Sequence, residues 1–346
     1  MDQSNALNTT APAKFKSAMW RLKPVSGYLL AGAGLVWVLY DIKFTELLGH
    51  LTKINWWLVA AAMICDVLSY TCQGVRWRLL LRPVGRISTL HATQAIFAGL
   101  FTNEVSPICL GELVRAYLVA RWTEAKFLKI IPSMVVERLI DGVWLAVMFA
   151  ITAIFVPLPR RLLNAGDMLG VVIVIATVLF LYLVSRRPRG ANKQGPKRTW
   201  EWKPLRVTVL LIDRLANELR GIGFTRSFYL AFIFSLPFLL LQGLAFWLVM
   251  VGYGMHLSFL IGMAVFLIVH LGTLIPNAPA NVGAYQFFCV VGLKLFGIEK
   301  TMATGFSLVV FILLTLPLLI LGFATLSRSG TTLLKIRGEI IRIMKP

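Results

Sequence analysis

The chain has 346 residues, 58% of them hydrophobic and only 14% charged, with a mean hydropathy of +0.77. Soluble domains carry roughly a quarter charged residues, so this composition expects a bilayer rather than water as its solvent. The net charge of +20 is spread as short Lys/Arg blocks between apolar runs with no basic soluble module, which excludes nucleic acid as a partner and fits the bias of cytoplasmic membrane loops.

Residues 1–24 are polar and end in the cluster Lys14, Lys16, Arg21 and Lys23, the pattern of a cytoplasmic basic N-terminus. The apolar run 25–40 follows without a small-residue cleavage site and is predicted as an uncleaved first helix. Further spans are predicted at 56–75, 127–155, 168–184, 228–250 and 302–326, on the basis that about 20 apolar residues cross a bilayer. Two more apolar stretches, 90–110 and 257–296, are broken by Gly, Pro, Asn and a carboxylate.

Charge decides how the first of these runs. Arg76, Arg78, Arg82 and Arg86 mark one loop as cytoplasmic, and Arg186, Arg187, Arg189, Lys193, Lys197 and Arg198 mark another. Two spans separate the second loop from the segment near Lys129, so that segment is cytoplasmic too, and 90–110 must enter and leave from one face as a re-entrant hairpin. The tail 327–346, with Arg328, Lys335, Arg337, Arg342 and Lys345, is cytoplasmic by the same rule. The 257–296 region then starts and finishes outside, either as a hairpin or as two spans. Within the basic loop 186–227, Leu211, Leu215, Leu219 and Ile222 share one helix face and Arg206, Asp213, Asn217 and Arg220 another, which predicts an amphipathic helix on the cytoplasmic surface. The expected fold is an all-α polytopic membrane protein, domain 25–326, with about six to eight transmembrane helices and re-entrant hairpins.

The two broken stretches share a pattern. Pro107 precedes Gly111 by four residues, as Pro279 precedes Gly283; Asn103 and Asn277 lie upstream, and Gly99 and Gly272 further upstream. Each copy is flanked by one span on either side in opposite orientation, which is the arrangement of an inverted repeat whose interrupted helices serve a ligand near the midplane. The structural alternative is a pair of kinks that let helices pack.

Charges cluster beside the first break. Glu112 and Arg115 follow it directly, and Glu137, Arg138 and Asp141 fall within one arc of about 100° on the next helix, roughly 15–20 Å from its start. A charge at that depth costs at least about 2.5–3.5 kcal/mol unless paired or hydrated. Arg115 and Arg138 offer planar forks suited to a lipid phosphate, with Glu112, Glu137 and Asp141 setting their geometry. Internal ion pairs fastening the hairpin are the competing explanation, and the two are compatible. Asn103, Pro107 and Gly111 on the first break, and Asn277, Pro279, Gly283 and Gln286 on the second, supply neutral polar groups and freed backbone to the same substrate path.

The four histidines, His50, His91, His256 and His270, and the four cysteines, Cys65, Cys72, Cys109 and Cys289, show no metal-ligand spacing. No phosphate-binding loop or nucleophile elbow is present either, so neither cofactor, metal, ATP nor enzymatic activity is expected. Transport would draw on a lipid gradient, the membrane potential or protons.

Residues 99–121 (GLFTNEVSPICLGELVRAYLVAR), 136–144 (VERLIDGVW) and 275–292 (IPNAPANVGAYQFFCVVG) resemble the hallmark blocks of the lysylphosphatidylglycerol synthase transmembrane-domain family, a flippase-like module. The resemblance spans 25–326 and implies a plasma-membrane protein, termini cytoplasmic, that translocates or handles a lipid. The full synthase also carries a soluble aminoacyl-transfer domain, whose activity the resemblance does not carry over. The expected partners are membrane lipids with an anionic or zwitterionic head group. The alternative is a non-transporting membrane unit that presents a lipid to a separate synthase or glycosyltransferase.

Overall fold

The computed structural model describes residues 32–40, 49–106, 110–185, 221–223, 225–274, 279–329 and 339. The basic N-terminus, residues 25–31 of the first predicted span, Pro107, Cys109, Asn277, nearly all of the 186–227 loop with its amphipathic helix, and most of the tail lie outside them.

Polar side chains at the ends of apolar runs decide where the helices start. The Asn55 side-chain oxygen accepts the backbone N–H groups of Trp57 and Leu58 and opens α1, Trp56–Leu80. Ser88 accepts from the His91 N–H at the start of α2, Thr89–Val105. Then come α3, Gly111–Thr123, α4, Phe127–Phe155, and α5, Arg160–Ser185. Thr225 caps α6, Arg226–Gly252, and Ser258 caps α7, Phe259–Gly272. A 3-10 turn at Pro279–Asn281 leads into α8, Ala284–Leu295, and α9, Lys300–Arg328, follows. A further helical stretch covers residues 32–39. The regular structure among the described residues is all helical.

Five segments are long and apolar enough to cross a bilayer: Trp56–Leu80, Phe127–Phe155, Leu162–Tyr182, Arg226–Gly252 and Lys300–Arg328. Met168, Val171, Val174, Ile175 and Val178 on α5 each leave more than half of their surface uncovered. In water such a stripe would drive aggregation, whereas lipid tails solvate it.

The first broken stretch folds as an antiparallel helical hairpin, with α2 and α3 as its legs. Gly99 lies against Arg115 and the Gly111 carbonyl, and His91 stacks near Trp122, with ring centroids 4.9 Å apart. The predicted hairpin 90–110 is therefore only its first leg and tip; the second leg carries Glu112 and Arg115 back alongside. A close glycine–glycine crossing makes this possible, because a Cβ on Gly111 would run into the Gly99 carbonyl oxygen. In the second broken stretch, α7 and α8 have 14 and 12 residues, about 21 and 18 Å at 1.5 Å per residue, each short of a full crossing. They too are antiparallel, with Gly272 against Phe288 and Gly292 against Ile268.

α1 and α6 run antiparallel along their whole length. The Asn55 N–H donates to the Gly252 carbonyl at 2.9 Å, Arg76 reaches Ser235 at 3.1 Å, and Arg82 reaches Ser227 at 3.1 Å. α2 packs on α9, where Gly322 meets the Phe97 backbone, while α7 packs on α4. One end of the molecule gathers the α1–α2 turn, the end of α3 and the end of α9, through Arg78 to Thr89, Gly85 beside Thr123, and Arg121 to the Ser329 carbonyl.

Candidate functional site

Four helices converge on the charged cluster around the Glu137 carboxylate, which is 1% exposed. Its Oε1 accepts from Gln73 Nε2 at 2.6 Å and Arg76 Nη2 at 2.8 Å, both from α1, and its Oε2 accepts from Arg115 Nη2 at 2.7 Å, from α3. Arg76 also pairs with Asp141 one turn along α4 and donates to Ser235 Oγ of α6. Arg115 lies over the Trp77 ring at 4.3 Å and reaches Glu112 at 3.3 Å. Trp77 is fixed in turn, since its Nε1 donates to Ser133 Oγ at 3.1 Å. Arg138 pairs with Glu112 and approaches Asp141 at 3.9 Å.

The network holds three guanidiniums and three carboxylates and is formally neutral. Its members differ in commitment. Arg76 and Arg115 are buried and shared between carboxylates, whereas the Arg138 side chain is 61% exposed.

A cavity of about 350 Å³ opens on the cluster. Glu112, Arg115, Arg138, Asp141, Gln73, Asn103 and Ser235 form its polar wall, and Leu100, Leu145, Leu169, Ile173, Phe238 and Leu239 its apolar wall. Asn103 also supports the hairpin, because its Oδ1 accepts the Gly111 N–H at 2.7 Å and so satisfies a donor freed by the break.

Glu112, Arg115, Glu137, Arg138 and Asp141 are thus brought together, with Asn103 and Gly111 beside them. Pro279, Gly283 and Gln286 do not line this cavity. Pro279 opens the 3-10 turn, Gly283 has φ +89°, and the buried Gln286 accepts the Gly283 N–H at 2.7 Å, so all three shape the start of α8. Two central members, Gln73 and Arg76, are absent from the residues that the sequence singles out for the site. Arg76 counts there as a loop charge, but α1 runs to Leu80 and Arg76 is completely buried, so its charge is compensated inside the protein. The signal that marks both is a polar stripe at helical spacing, Asp66, Ser69, Gln73 and Arg76, which one face of an apolar helix carries only when it faces protein or water.

Residues 25–322 match the family described as the lysylphosphatidylglycerol synthase transmembrane region. The chain belongs to this family. A UPF0104 membrane protein of Methanothermobacter thermautotrophicus is 24% identical over 267 residues, covering 74% of this chain and 78% of that protein. A second from the same organism is 23% identical over 271 residues, 72% of this chain and 79% of its own length. The glycosyltransferase AglD of Haloferax volcanii is 34% identical over 122 residues, 35% of this chain but 20% of that enzyme. Family membership and five long apolar helices together make this a multi-pass membrane protein.

Proposed function

We propose that the protein is a flippase-like lipid handler, which moves a phospholipid or related polar lipid with an anionic or zwitterionic head group across the plasma membrane and performs no catalysis. The carrying observation is the two-sided cavity: a charged wall that is neutral as a set, with one exposed guanidinium at Arg138, faced by an apolar wall suited to the start of an acyl chain. Its 350 Å³ lies in the range of small-ligand sites, roughly 300–1,000 Å³, which fits a head group rather than a whole lipid. Leu169 and Ile173 belong to α5, whose other face meets the bilayer.

A phosphate entering the cavity competes with Glu112 for Arg138. Both hairpins then act as re-entrant elements of an inverted repeat, meeting from opposite faces. The end holding Arg82, Arg86, Arg121 and Lys126 faces the cytoplasm, by the positive-inside rule, and both termini lie there too.

The test is movement of head-group-labelled phosphatidylglycerol by the purified protein in liposomes. Arg138→Gln is expected to slow it roughly ten-fold, the worth of one charge-assisted hydrogen bond of about 1.5 kcal/mol. Equal rates in wild type and variant would remove the phosphate role. The match to one fifth of a glycosyltransferase favours a second reading, in which this membrane unit presents a lipid to a separate enzyme. Lipid handling that appears only when such an enzyme is added would decide for it.

A further inference from the structure

A second cavity, of about 160 Å³, adjoins the first, and Tyr70, Gln242 and His270 line both. Asp66 of α1 and Glu104 of α2 face it. Each carboxylate on the first cavity has a guanidinium partner, but these two form no ion pair among the described residues. Asp66 is 4% exposed, and neither its Oδ2 nor Glu104 Oε2 has a hydrogen-bond partner among them. Asp66 lies ten residues into α1 and fourteen from its end, about 15 Å and 21 Å along the axis, so it sits mid-membrane. Glu104 sits at the tip of the first hairpin.

The other ionisable groups around the pair are Tyr70 and Cys65 on α1, His270 on α7 and Tyr285 on α8. α6, α9 and the 3-10 turn supply neutral residues to the lining, and the described residues that form it include no lysine or arginine. A carboxylate buried with no cation beside it is costly to keep charged, and the smallest particle that neutralises it is a proton. Tyr70, Gln242 and His270 all carry groups able to pass a hydrogen bond from one cavity to the other.

We propose that Asp66 and Glu104 form a proton-binding pair that couples lipid movement in the adjoining cavity to a proton gradient; this rests on the flippase-like reading above. In the cycle a carboxylate oxygen takes one proton from water on one face, becoming a carboxylic acid, and returns it to water on the other, with no other bond changed.

The experiment uses the full chain in vesicles of phosphatidylethanolamine and phosphatidylglycerol with a head-group-labelled phosphatidylglycerol tracer, at zero membrane potential. With one proton per lipid, a gradient of one pH unit holds about a ten-fold leaflet ratio of tracer, ~1.4 kcal/mol. Wild type is expected to approach that ratio and to reverse it when the gradient is reversed. Asp66→Asn/Glu104→Gln is expected to bring the tracer to the same ratio whatever the gradient, still moving lipid downhill. Glu104→Gln alone serves if the double variant does not insert. A wild type that moves lipid but ignores the pH gradient, one that follows a sodium gradient instead, or a variant that keeps the pH response overturns the proposal. If the wild type moves no lipid at all, the transport reading falls. The pair is then judged by infrared difference spectra in water and deuterium oxide: a carboxylic-acid band lost in Asp66→Asn and in Glu104→Gln supports it, and the absence of any such band overturns it.

Discussion

Glu137→Gln tests the charged network most directly. The change keeps the side chain's shape but removes the one negative charge that Arg76 and Arg115 share, and both guanidiniums are buried. Arg76 keeps Asp141, while Arg115 is left with Glu112 at 3.3 Å. The new amide N–H₂ also points at a guanidinium, donor against donor. Removing one partner of a buried ion pair costs about 3–5 kcal/mol, because the remaining charge has lost its compensation. With an unfolding entropy of roughly 2.1 cal/mol/K per residue, 346 residues give a drop in melting temperature of about 4–7 °C. Arg138→Gln is the control: its side chain is 61% exposed, and an exposed pair is worth about 0–1 kcal/mol, a shift of no more than roughly 1–2 °C. The assay is tryptophan-fluorescence melting in detergent. Equal shifts in the two variants would refute the distinction between buried and exposed members, and with it the assignment of Arg138 as the exposed guanidinium.

The hairpin crossing is testable by one methyl group: Gly99→Ala and Gly111→Ala are expected to lose about 1–3 kcal/mol by overpacking, since each Cβ meets backbone of the opposite leg. Gly170→Ala on α5, with nothing within 4 Å, should lose nothing in the same melts. Glu112→Gln removes the carboxylate that competes for Arg138 and should tighten binding of anionic vesicles, read by flotation, with a stability change below about 1 kcal/mol; weaker binding would show that Glu112 positions Arg138 rather than competing for it. In a chain whose native cysteines are replaced, thiols placed at Arg86 and Lys126 should react with an impermeant reagent from one face, and thiols at His256 and Glu299 from the other. Labelling of Arg86→Cys and Lys126→Cys from opposite faces would end the re-entrant reading.

The long helices and the five charges of the first cluster are legible in the sequence, because charges stand out in apolar runs and Glu137, Arg138 and Asp141 are helical neighbours. Arg76 is hidden by its company. It stands in a row with Arg78, Arg82 and Arg86, and a rule that counts positive charge outside the membrane takes all four together, although α1 continues to Leu80. The Asp66–Glu104 cavity depends on how α2 returns against α1 and on what α8 and α9 add, and no local spacing encodes that. The second hairpin shows the same limit: its Pro and Gly pattern marks the break, but Gln286 turns inward to close the start of α8 instead of reaching the charged cavity.

The division of the acidic groups between the cavities bears on how an anionic head group could be carried at all. The first cluster is neutral when empty, so a phosphate adds uncompensated negative charge to a low-dielectric site, where it costs far more than in water. Displacing Glu112 from Arg138 does not remedy this, since Glu112 stays beside Arg115 and the total is unchanged. Compensation has to come from a cation that arrives with the lipid or from a proton gained nearby. Asp66 and Glu104 lie across a wall formed by Tyr70, Gln242 and His270, with no basic partner among the described residues. On the proposed reading, protonating them makes room for the phosphate's charge. By the reciprocity of binding free energies, phosphate entry then raises their affinity for the proton by the same factor. That mutual dependence is what makes a pair of unpartnered acids a coupling element rather than a defect in the core.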